Sequence, residues 1–286
     1  MTDPRATIPF DRLPDNFARS VAHPPEHPAP PRPAATLVLM RGGKDAPEIL
    51  LLKRVRSAGF VPGAWVFPGG RVDEHDAAPS LVARLTGVTP AAAQARLALP
   101  EDAHPPAIAF WVAAVREAFE ETGVLVGRNR AGDFAPTAAE HTSVRDLLEE
   151  VLADGTHFAS VLDRLECRMD GGALEYVAHW ITPVVEPRRF DTRFFAAGVP
   201  PGTEPSINPR EIASAVWLTP AEALELNVRD SLPMVFPTIR TLESLLPFRT
   251  PDEVLSSFRA RTIPTIMPRL VSTPRGIGME LEEAPR

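Results

Sequence analysis

The stretch that decides the fold is Arg116-Glu117-Ala118-Phe119-Glu120-Glu121-Thr122-Gly123-Val124. Residues 108–122 contain strong helix formers and neither Gly nor Pro, and the glycine that follows supplies a helix stop. Residues three and four apart share one face of a helix, so Glu117, Glu120 and Glu121 converge. The sequence therefore predicts a helix with an acidic face near its C-terminal end.

This acidic face has two interpretations. Glu117 and Glu121 are like charges at i and i+4, which destabilises a helix by roughly 0.2–0.5 kcal/mol. The helix dipole also destabilises acids near a C-terminal end, by about 0.3–1 kcal/mol. A divalent cation would reverse both effects, because hard cations prefer clustered carboxylate oxygens. The residues alone leave open a solvated acidic surface and a metal site.

A glycine-containing segment upstream favours the metal site. Phe67-Pro68-Gly69-Gly70 ends a short strand predicted over residues 65–67. Paired glycines allow the backbone to come close to a ligand. A glycine carbonyl aimed at the acidic face would add an uncharged oxygen ligand.

Gly70, Asp76 and residues 116–124 together resemble the sequence box of the Nudix hydrolase family. The second half of the box matches completely, and Asp76 stands where the family prefers Glu. Residues 77–115 number 39 where the family pattern has seven, so about 32 residues are inserted. One branch of the family, which includes peroxisomal coenzyme A diphosphatases, has a long insertion at this place, and this sequence looks like that branch.

The resemblance implies an α+β fold, with a mixed β-sheet between helices in an α/β/α sandwich. We expect a Pro-rich leader over residues 1–33 and a Nudix domain over residues 34–226. The insertion, residues 77–108, is expected to form a helical cap over the site entrance. Residues 227–286 are expected to form a helical extension packed on the domain.

Hydrophobic periodicity and turn residues predict the remaining elements. Further helices are predicted over residues 90–97, 143–153, 220–226, 238–246 and 251–259. Further strands are predicted over residues 35–40, 48–53, 124–126, 175–185 and 211–218, the first two as a hairpin.

Carried over by position, the resemblance implies that Glu117, Glu120 and Glu121 bind Mg²⁺ or Mn²⁺, joined by the Gly69 carbonyl. Arg116 would orient these acids through an ion pair with Asp76; an ordinary surface arginine is the alternative.

The general base in this family is a glutamate of the box or one on a later loop. Glu204 and Glu211 are the later candidates here, and we favour Glu211 as the catalytic one. Each of the two could equally be a solvated loop acid.

The substrate implied by the resemblance is a nucleoside diphosphate joined to another moiety. Four arginines are candidates to bind it, because a guanidinium fork suits phosphate: Arg54, Arg71, Arg189 and Arg193. A structural ion-pair cluster with Asp191 is the alternative for the last two. His179 is expected to be structural.

Phe67-Pro68-Gly69-Gly70 and Asp73 also fit a coenzyme A diphosphatase signature. The Arg and His that this signature places before the strand are missing, and Phe60 and Val61 stand in that region.

The composition restricts the partners. A net charge of -7 argues against nucleic acid, and the absence of an apolar run of 18 residues argues against a membrane span. The sole cysteine, Cys167, excludes an intrachain disulfide, and we expect a cytoplasmic protein. The sequence leaves open whether the protein forms a homodimer. The alternative to a hydrolase is a non-catalytic nucleotide-sensing or interaction module on the same scaffold.

Overall fold

The computed structural model describes residues 17–57, 61–154, 158–274 and 276–281. The helices are α1 (Phe17–Ala22), α2 (Pro79–Val82), α3 (Pro90–Leu97), α4 (Ala107–Thr122), α5 (Thr142–Asp154), α6 (Phe158–Arg164), α7 (Pro220–Val228), α8 (Phe236–Leu245) and α9 (Pro251–Arg259). Short 3₁₀ helices occupy Glu74–Ala77 and Gly171–Ala173. The strands are β1 (Arg32–Arg41), β2 (Glu48–Arg54), β3 (Trp65–Val66), β4 (Gly69–Arg71), β5 (Leu85–Thr86), β6 (Gly127–Asn129), β7 (Cys167–Asp170), β8 (Glu175–Ile181), β9 (Phe190–Gly198), β10 (Ile212–Leu218), β11 (Thr265–Ile266), β12 (Arg269–Thr273) and β13 (Gly276–Glu280).

The central sheet is mixed and has the order β10-β2-β1-β9-β8-β11, with β3 paired to β2 and β4 paired to β1. β1 runs antiparallel to β2 and to β4, and parallel to β9 from Arg32↔Phe190 to Met40↔Gly198. β1 therefore lies at the centre of the sheet, and β4 places Gly69 and Gly70 beside it.

Both faces of the sheet are covered. Side chains alternate along β2, so Leu50 and Leu52 pack with α4 while Ile49 and Leu51 pack on the other side with α7, α8 and α9. Helix α4 is buried along almost its whole length. The predicted α/β/α sandwich with a mixed sheet is confirmed.

The insertion is part of the core. Its buried residues Leu81, Leu85, Ala93 and Leu97 belong to the same cluster as α4. Arg96 of α3 donates to the carbonyls of Tyr176, Phe258 and Arg261 and pairs with the Glu175 carboxylate at 2.9 Å. The helix predicted over residues 90–97 is present as α3, and the contacts of the insertion described above are with the core, β8 and α9. A cap over the site entrance stays a prediction.

The C-terminal extension is only partly helical. α8 and α9 fall where helices are predicted, but residues 265–280 contain three strands instead of helix. β11 adds to the edge of the sheet, parallel to β8, and β12 pairs with β13 in a hairpin. The edge of β8 provides unpaired backbone groups, and β11 satisfies them.

Several predicted boundaries need correction. Residues 124–126 form a fully buried loop, and the strand begins only at Gly127. β9 was not predicted. Residues 1–16 of the predicted leader lie outside the described residues. In the rest of it, residues 17–22 are helical, and β1 already begins at Arg32. None of the helices that the structure describes is both long and apolar enough to cross a bilayer.

Candidate active site

The C-terminal end of α4 carries the candidate site. Gly123 ends the helix in the left-handed conformation, with φ 65°, and its N–H donates to the Phe119 carbonyl at 2.7 Å. A Cβ at this position would lie 2.4 Å from the Ala138 Cβ, so only glycine fits. The acidic turn therefore ends at a defined point against the next loop.

Arg116 rejoins the two halves of the divided box. Its Nε donates to Asp76 Oδ1 at 2.8 Å, and its Nη2 donates to Asp76 Oδ2 at 3.0 Å and to the Arg71 carbonyl at 3.1 Å. Asp76 is fully buried. The predicted ion pair is present, so the inserted residues leave the geometry between the two halves intact.

The three box glutamates lie together, as the helical spacing predicts. Arg116 Nη1 donates to Glu117 Oε1 at 2.9 Å and to Glu120 Oε2 at 3.0 Å. Glu121 Oε2 accepts the Gly69 N–H at 3.0 Å. Thus the contact that Gly69 makes with the acids is through its N–H, where the sequence prediction named its carbonyl.

Gly70 permits the closest approach of the acids to β4. A Cβ on this residue would lie 2.4 Å from the Glu117 carboxyl carbon. The Glu117 carboxylate therefore occupies the space that any other side chain at position 70 would fill. This steric contact explains why the second residue of the Gly69-Gly70 pair is a glycine.

Burial disfavours the ionised form of these carboxylates. It raises the pKa of Glu117 to about 7, with Glu120 adding to the effect and Arg116 opposing it. It raises the pKa of Glu121 to about 8, with the charges of Glu117 and Glu211 adding to the effect. The pKa of Glu120 is raised by burial as well. Arg116 alone does not balance this buried negative charge.

The donor set fits a hard divalent cation. Glu121, which is buried, and Glu117 and Glu120, which are partly buried, supply carboxylate oxygens, the ligands that Mg²⁺ and Mn²⁺ prefer. Within the described part of the chain, no three His, Cys, Asp or Glu side chains form a preassembled metal cluster. At the box, Arg116 donates to two of the three carboxylates.

The loop before β10 closes the end of α4. Ser206 N–H donates to the Thr122 carbonyl at 2.7 Å, and Asn208 N–H donates to the Glu121 carbonyl at 3.2 Å. This loop brings Glu211 close enough for its charge to raise the pKa of Glu121. Sequence analysis missed the loop's role, because backbone contacts leave no pattern of side chains.

The two later acids are placed differently. Glu211 lies near the box, as described, and is exposed. Glu204 instead pairs with Arg41 at 2.7 Å. Of the two candidates for a base, the structure places Glu211 next to the acidic turn and holds Glu204 in a separate ion pair.

Arg54 and Arg71 lie beside the box. Arg54 ends β2, and its Nη1 is 3.9 Å from Glu121 Oε1. Its Nε is buried and has no hydrogen-bond partner among the residues that the structure describes. The Arg71 side chain is exposed, while its carbonyl accepts from Arg116. Both remain candidates for phosphate contacts.

Arg189, which the sequence predicts to bind substrate, contacts other segments of the protein. Its guanidinium donates to the Thr182 carbonyl at 3.0 Å, the Ala29 carbonyl at 2.8 Å and Met267 Sδ at 3.4 Å. It is a structural link between the N-terminal segment, the β8–β9 connection and the C-terminal extension. Each of its three guanidinium nitrogens thus donates to an atom of the protein itself.

Arg193 is also structural. It is 4% exposed, pairs with Asp191 at 2.5 Å and lies over the Phe110 ring at 4.8 Å. Asp191 also contacts His179 Nε2 at 2.5 Å, and His179 Nδ1 lies 2.8 Å from Thr265 Oγ1. The ion-pair alternative is confirmed for Arg193, and the structural interpretation of His179 is confirmed.

The sandwich, the rejoined box and the acidic turn define the class: this is a Nudix domain. The family model of the NUDT19 Nudix domain matches residues 31–245. The chain therefore belongs to the NUDT19 Nudix domain family.

Comparisons with individual proteins agree. The chain is similar to the acyl-coenzyme A diphosphatase NUDT19 of Homo sapiens, at 32% identity over 207 residues covering 62% of this chain and 55% of that protein. The Gallus gallus protein of the same name is 32% identical over 240 residues, covering 68% and 62%. A crystal structure of a Nudix hydrolase from Alicyclobacillus acidocaldarius has a TM-score of 0.68 at 28% identity, covering 82% of this chain and 99% of the other. The match to four curated relatives spans between 53% and 62% of their length.

Proposed function

We propose that this protein hydrolyses the diphosphate linkage of a nucleoside diphosphate conjugate, with coenzyme A or an acyl-coenzyme A as the leading substrate, and that it needs Mg²⁺ or Mn²⁺. The observation that carries the proposal is the set of three carboxylates at the end of α4, of which Glu121 is buried and Glu117 and Glu120 are partly buried. Burying like charges is costly unless a cation compensates them. Residues kept at that cost are typical of a functional site.

The chain's own residues have distinct parts in the proposed reaction. Glu117, Glu120 and Glu121 would hold the metal, and a bound divalent ion would supply charge neutralisation at the phosphate oxygens and a lower pKa for the attacking water. Arg116 holds the acids in register through Asp76. Glu211 or a box glutamate takes a proton from the attacking water. The water oxygen bonds to one phosphorus, the bridging P–O bond breaks, and two phosphate monoesters result.

Coenzyme A is supported by the names of the curated relatives and by the retained Phe67-Pro68-Gly69-Gly70 and Asp73. The Arg and His that the coenzyme A signature places before this strand are missing. Any contact to the coenzyme A moiety must therefore come from other residues, and Arg54 and Arg71 are the candidates next to the box.

One observation favours the second candidate function, a module that binds a nucleotide without turnover. Arg116 occupies oxygens of both Glu117 and Glu120, so a metal requires a local rearrangement of these side chains. A binding module needs no such rearrangement.

The deciding experiment is a turnover screen with the full chain. Coenzyme A, acyl-coenzyme A, ADP-ribose, NADH and dinucleoside polyphosphates are incubated with Mg²⁺ or Mn²⁺, and the products are separated. The proposal expects metal-dependent conversion of at least one compound into two phosphate monoesters. Binding of a compound with no cleavage under any condition would support the non-catalytic module instead.

A further inference from the structure

The loop before β10 makes its last turn at a buried asparagine, Asn208, which is 4% exposed. The Asn208 carbonyl accepts the N–H groups of Glu211 at 3.2 Å and of Ile212 at 2.8 Å, and its Oδ1 accepts the Arg210 N–H at 3.1 Å. Asparagine followed by Pro209 suits these positions, because the amide oxygen caps the turn and the proline ring fixes φ. Asn208 therefore sets the path of the backbone into Glu211.

Asn208 also ties this turn to the acidic end of α4. Its N–H donates to the Glu121 carbonyl at 3.2 Å. From the end of β2, the Val55 N–H donates to the Glu211 carbonyl at 2.9 Å. The preceding residue, Arg54, has its Nη1 3.9 Å from Glu121 Oε1. The backbone of Glu211 is thus held by Asn208 and by Val55, and both connections lead back to Glu121 within one residue.

The charge of Glu211 acts on the acidic turn. Burial is the largest cause of the raised pKa of Glu120 and of Glu121, and the charge of Glu211 adds to both. Glu211 itself is exposed, so its carboxylate is open to water. A general base must lie within reach of the water whose proton it takes. Since the box glutamates are assigned to the metal in the proposed reaction, Glu211 is the acid at this site that is left to act as the base.

We propose that Asn208 is a positioning residue, which holds the Glu211 carboxylate where it takes a proton from the attacking water. The inference rests on the proposed function and deepens it, because it selects Glu211 over the box glutamates as the base. Removing the Asn208 side chain deletes the bond to the Arg210 N–H and keeps the backbone groups that bond to Glu211 and Glu121. The change therefore acts on the aim of Glu211, and a misplacement of about 1 Å can cost roughly 100-fold in rate.

The test measures the turnover of coenzyme A with Mg²⁺, or of the compound in the screen that is cleaved fastest, by the full chain. Asn208→Ala should lower kcat by about 10–100-fold and change KM by less than about two-fold, because the base acts in the chemical step. Asn208→Ser keeps an oxygen that accepts the Arg210 N–H and should recover most of the lost kcat. In the Glu211→Gln background, Asn208→Ala should lower kcat by less than about two-fold, since the base is already gone.

The matched control is Asn129→Ala. Asn129 Oδ1 accepts the Ala131 N–H at 2.9 Å, in the same kind of turn at the end of β6, and its loss should leave kcat unchanged. A fall in kcat on Asn208→Ala that is equally large with and without Glu211 would overturn the inference, because Asn208 would then act through other groups. Unchanged kcat of Asn208→Ala beside an active unmodified protein would also overturn it and would leave the proposed function intact.

Hydrogen exchange followed by NMR tests the positioning without turnover. In Asn208→Ala, the amides of Arg210 and Glu211 should exchange at least about ten-fold faster than in the unmodified protein. The amide of Val216, which pairs with Leu51 in the sheet, should be unchanged. Equal exchange of the two turn amides in both proteins would overturn the inference even if the protein is an active hydrolase. An unmodified protein that cleaves none of the compounds would instead overturn the proposed function, and the assignment of the base with it.

Discussion

Arg116 and Asp76 are joined by two charge-assisted hydrogen bonds, at 2.8 and 3.0 Å, although they lie 40 positions apart in the sequence. The pair is buried, so each partner depends on the other for compensation. It fixes the entry of the insertion against the helix that carries the acids. The divided box can therefore act as one unit.

The first prediction concerns this pair. Asp76→Asn should lower the free energy of unfolding by about 2–4 kcal/mol, because a buried guanidinium loses an ionic partner. Asp73→Asn is the control, since that carboxylate is half-exposed and 3.8 Å from Arg116 Nη2; it should cost less than about 1 kcal/mol. Urea unfolding of both variants measures the difference. Equal losses of unfolding free energy in the two variants would show that the Arg116–Asp76 pair stabilises the fold no more than the exposed Asp73 carboxylate does.

The second prediction is a pH dependence of the metal-free protein. The pKa values of Glu117 and Glu121 are raised in the folded state to about 7 and about 8, above their ordinary values. Their contribution to stability is therefore full below the ordinary glutamate pKa and is lost as the pH rises through about 7 to 8. The melting temperature in EDTA should be lower at pH 9 than at pH 6.

The control for this effect is Glu121→Gln, which cannot ionise and still accepts the Gly69 N–H. Its melting temperature should fall less between pH 6 and pH 9 than that of the unmodified protein. The same loss in both proteins would place the titrating groups elsewhere.

The third prediction separates two arginines that look alike in the sequence. Arg189→Met should lower stability by about 1–3 kcal/mol, because it leaves two carbonyls without their donor, and should leave KM unchanged. Arg54→Met should reduce kcat/KM by roughly 10–100-fold with little change in unfolding. Steady-state kinetics and thermal unfolding of the two variants test this. A KM effect at Arg189 would restore it as a substrate contact.

The fourth prediction concerns the insertion. Leu97 is 7% exposed and belongs to the core cluster of α4, so Leu97→Ala should cost about 2–4 kcal/mol. Leu246→Ala, at a site 48% exposed, is the control and should be nearly neutral. Chemical denaturation distinguishes them. A neutral Leu97→Ala would show that the insertion does not stabilise the core around α4.

The acidic helix could be predicted because its determinants are local. Helix formers, the glycine at position 123 and the spacing of Glu117, Glu120 and Glu121 all lie within one segment. The same holds for α3, where Thr89 accepts from the Ala92 N–H and Pro90 begins the helix.

The elements that were missed depend on distant partners. β9 is a strand because it pairs with β1, more than 150 positions earlier in the chain. β11 exists because the edge of β8 accepts it. Residues 124–126 are apolar like a strand, yet core packing buries them as a loop. The contacts of Arg189 and Arg54 likewise depend on residues that are distant in the sequence. Arg189 donates to the carbonyls of Thr182 and Ala29, and Arg54 lies near Glu121.

The central claim is that the carboxylates at the end of α4 hold a metal for diphosphate hydrolysis. Glu121→Gln tests it most directly, with Glu149→Gln, an exposed acid on α5, as the control. At saturating Mg²⁺, kcat of Glu121→Gln should fall by at least about 100-fold while its melting temperature is retained, and the control should stay active. Near-normal turnover by Glu121→Gln would show that these carboxylates do not hold a catalytic metal.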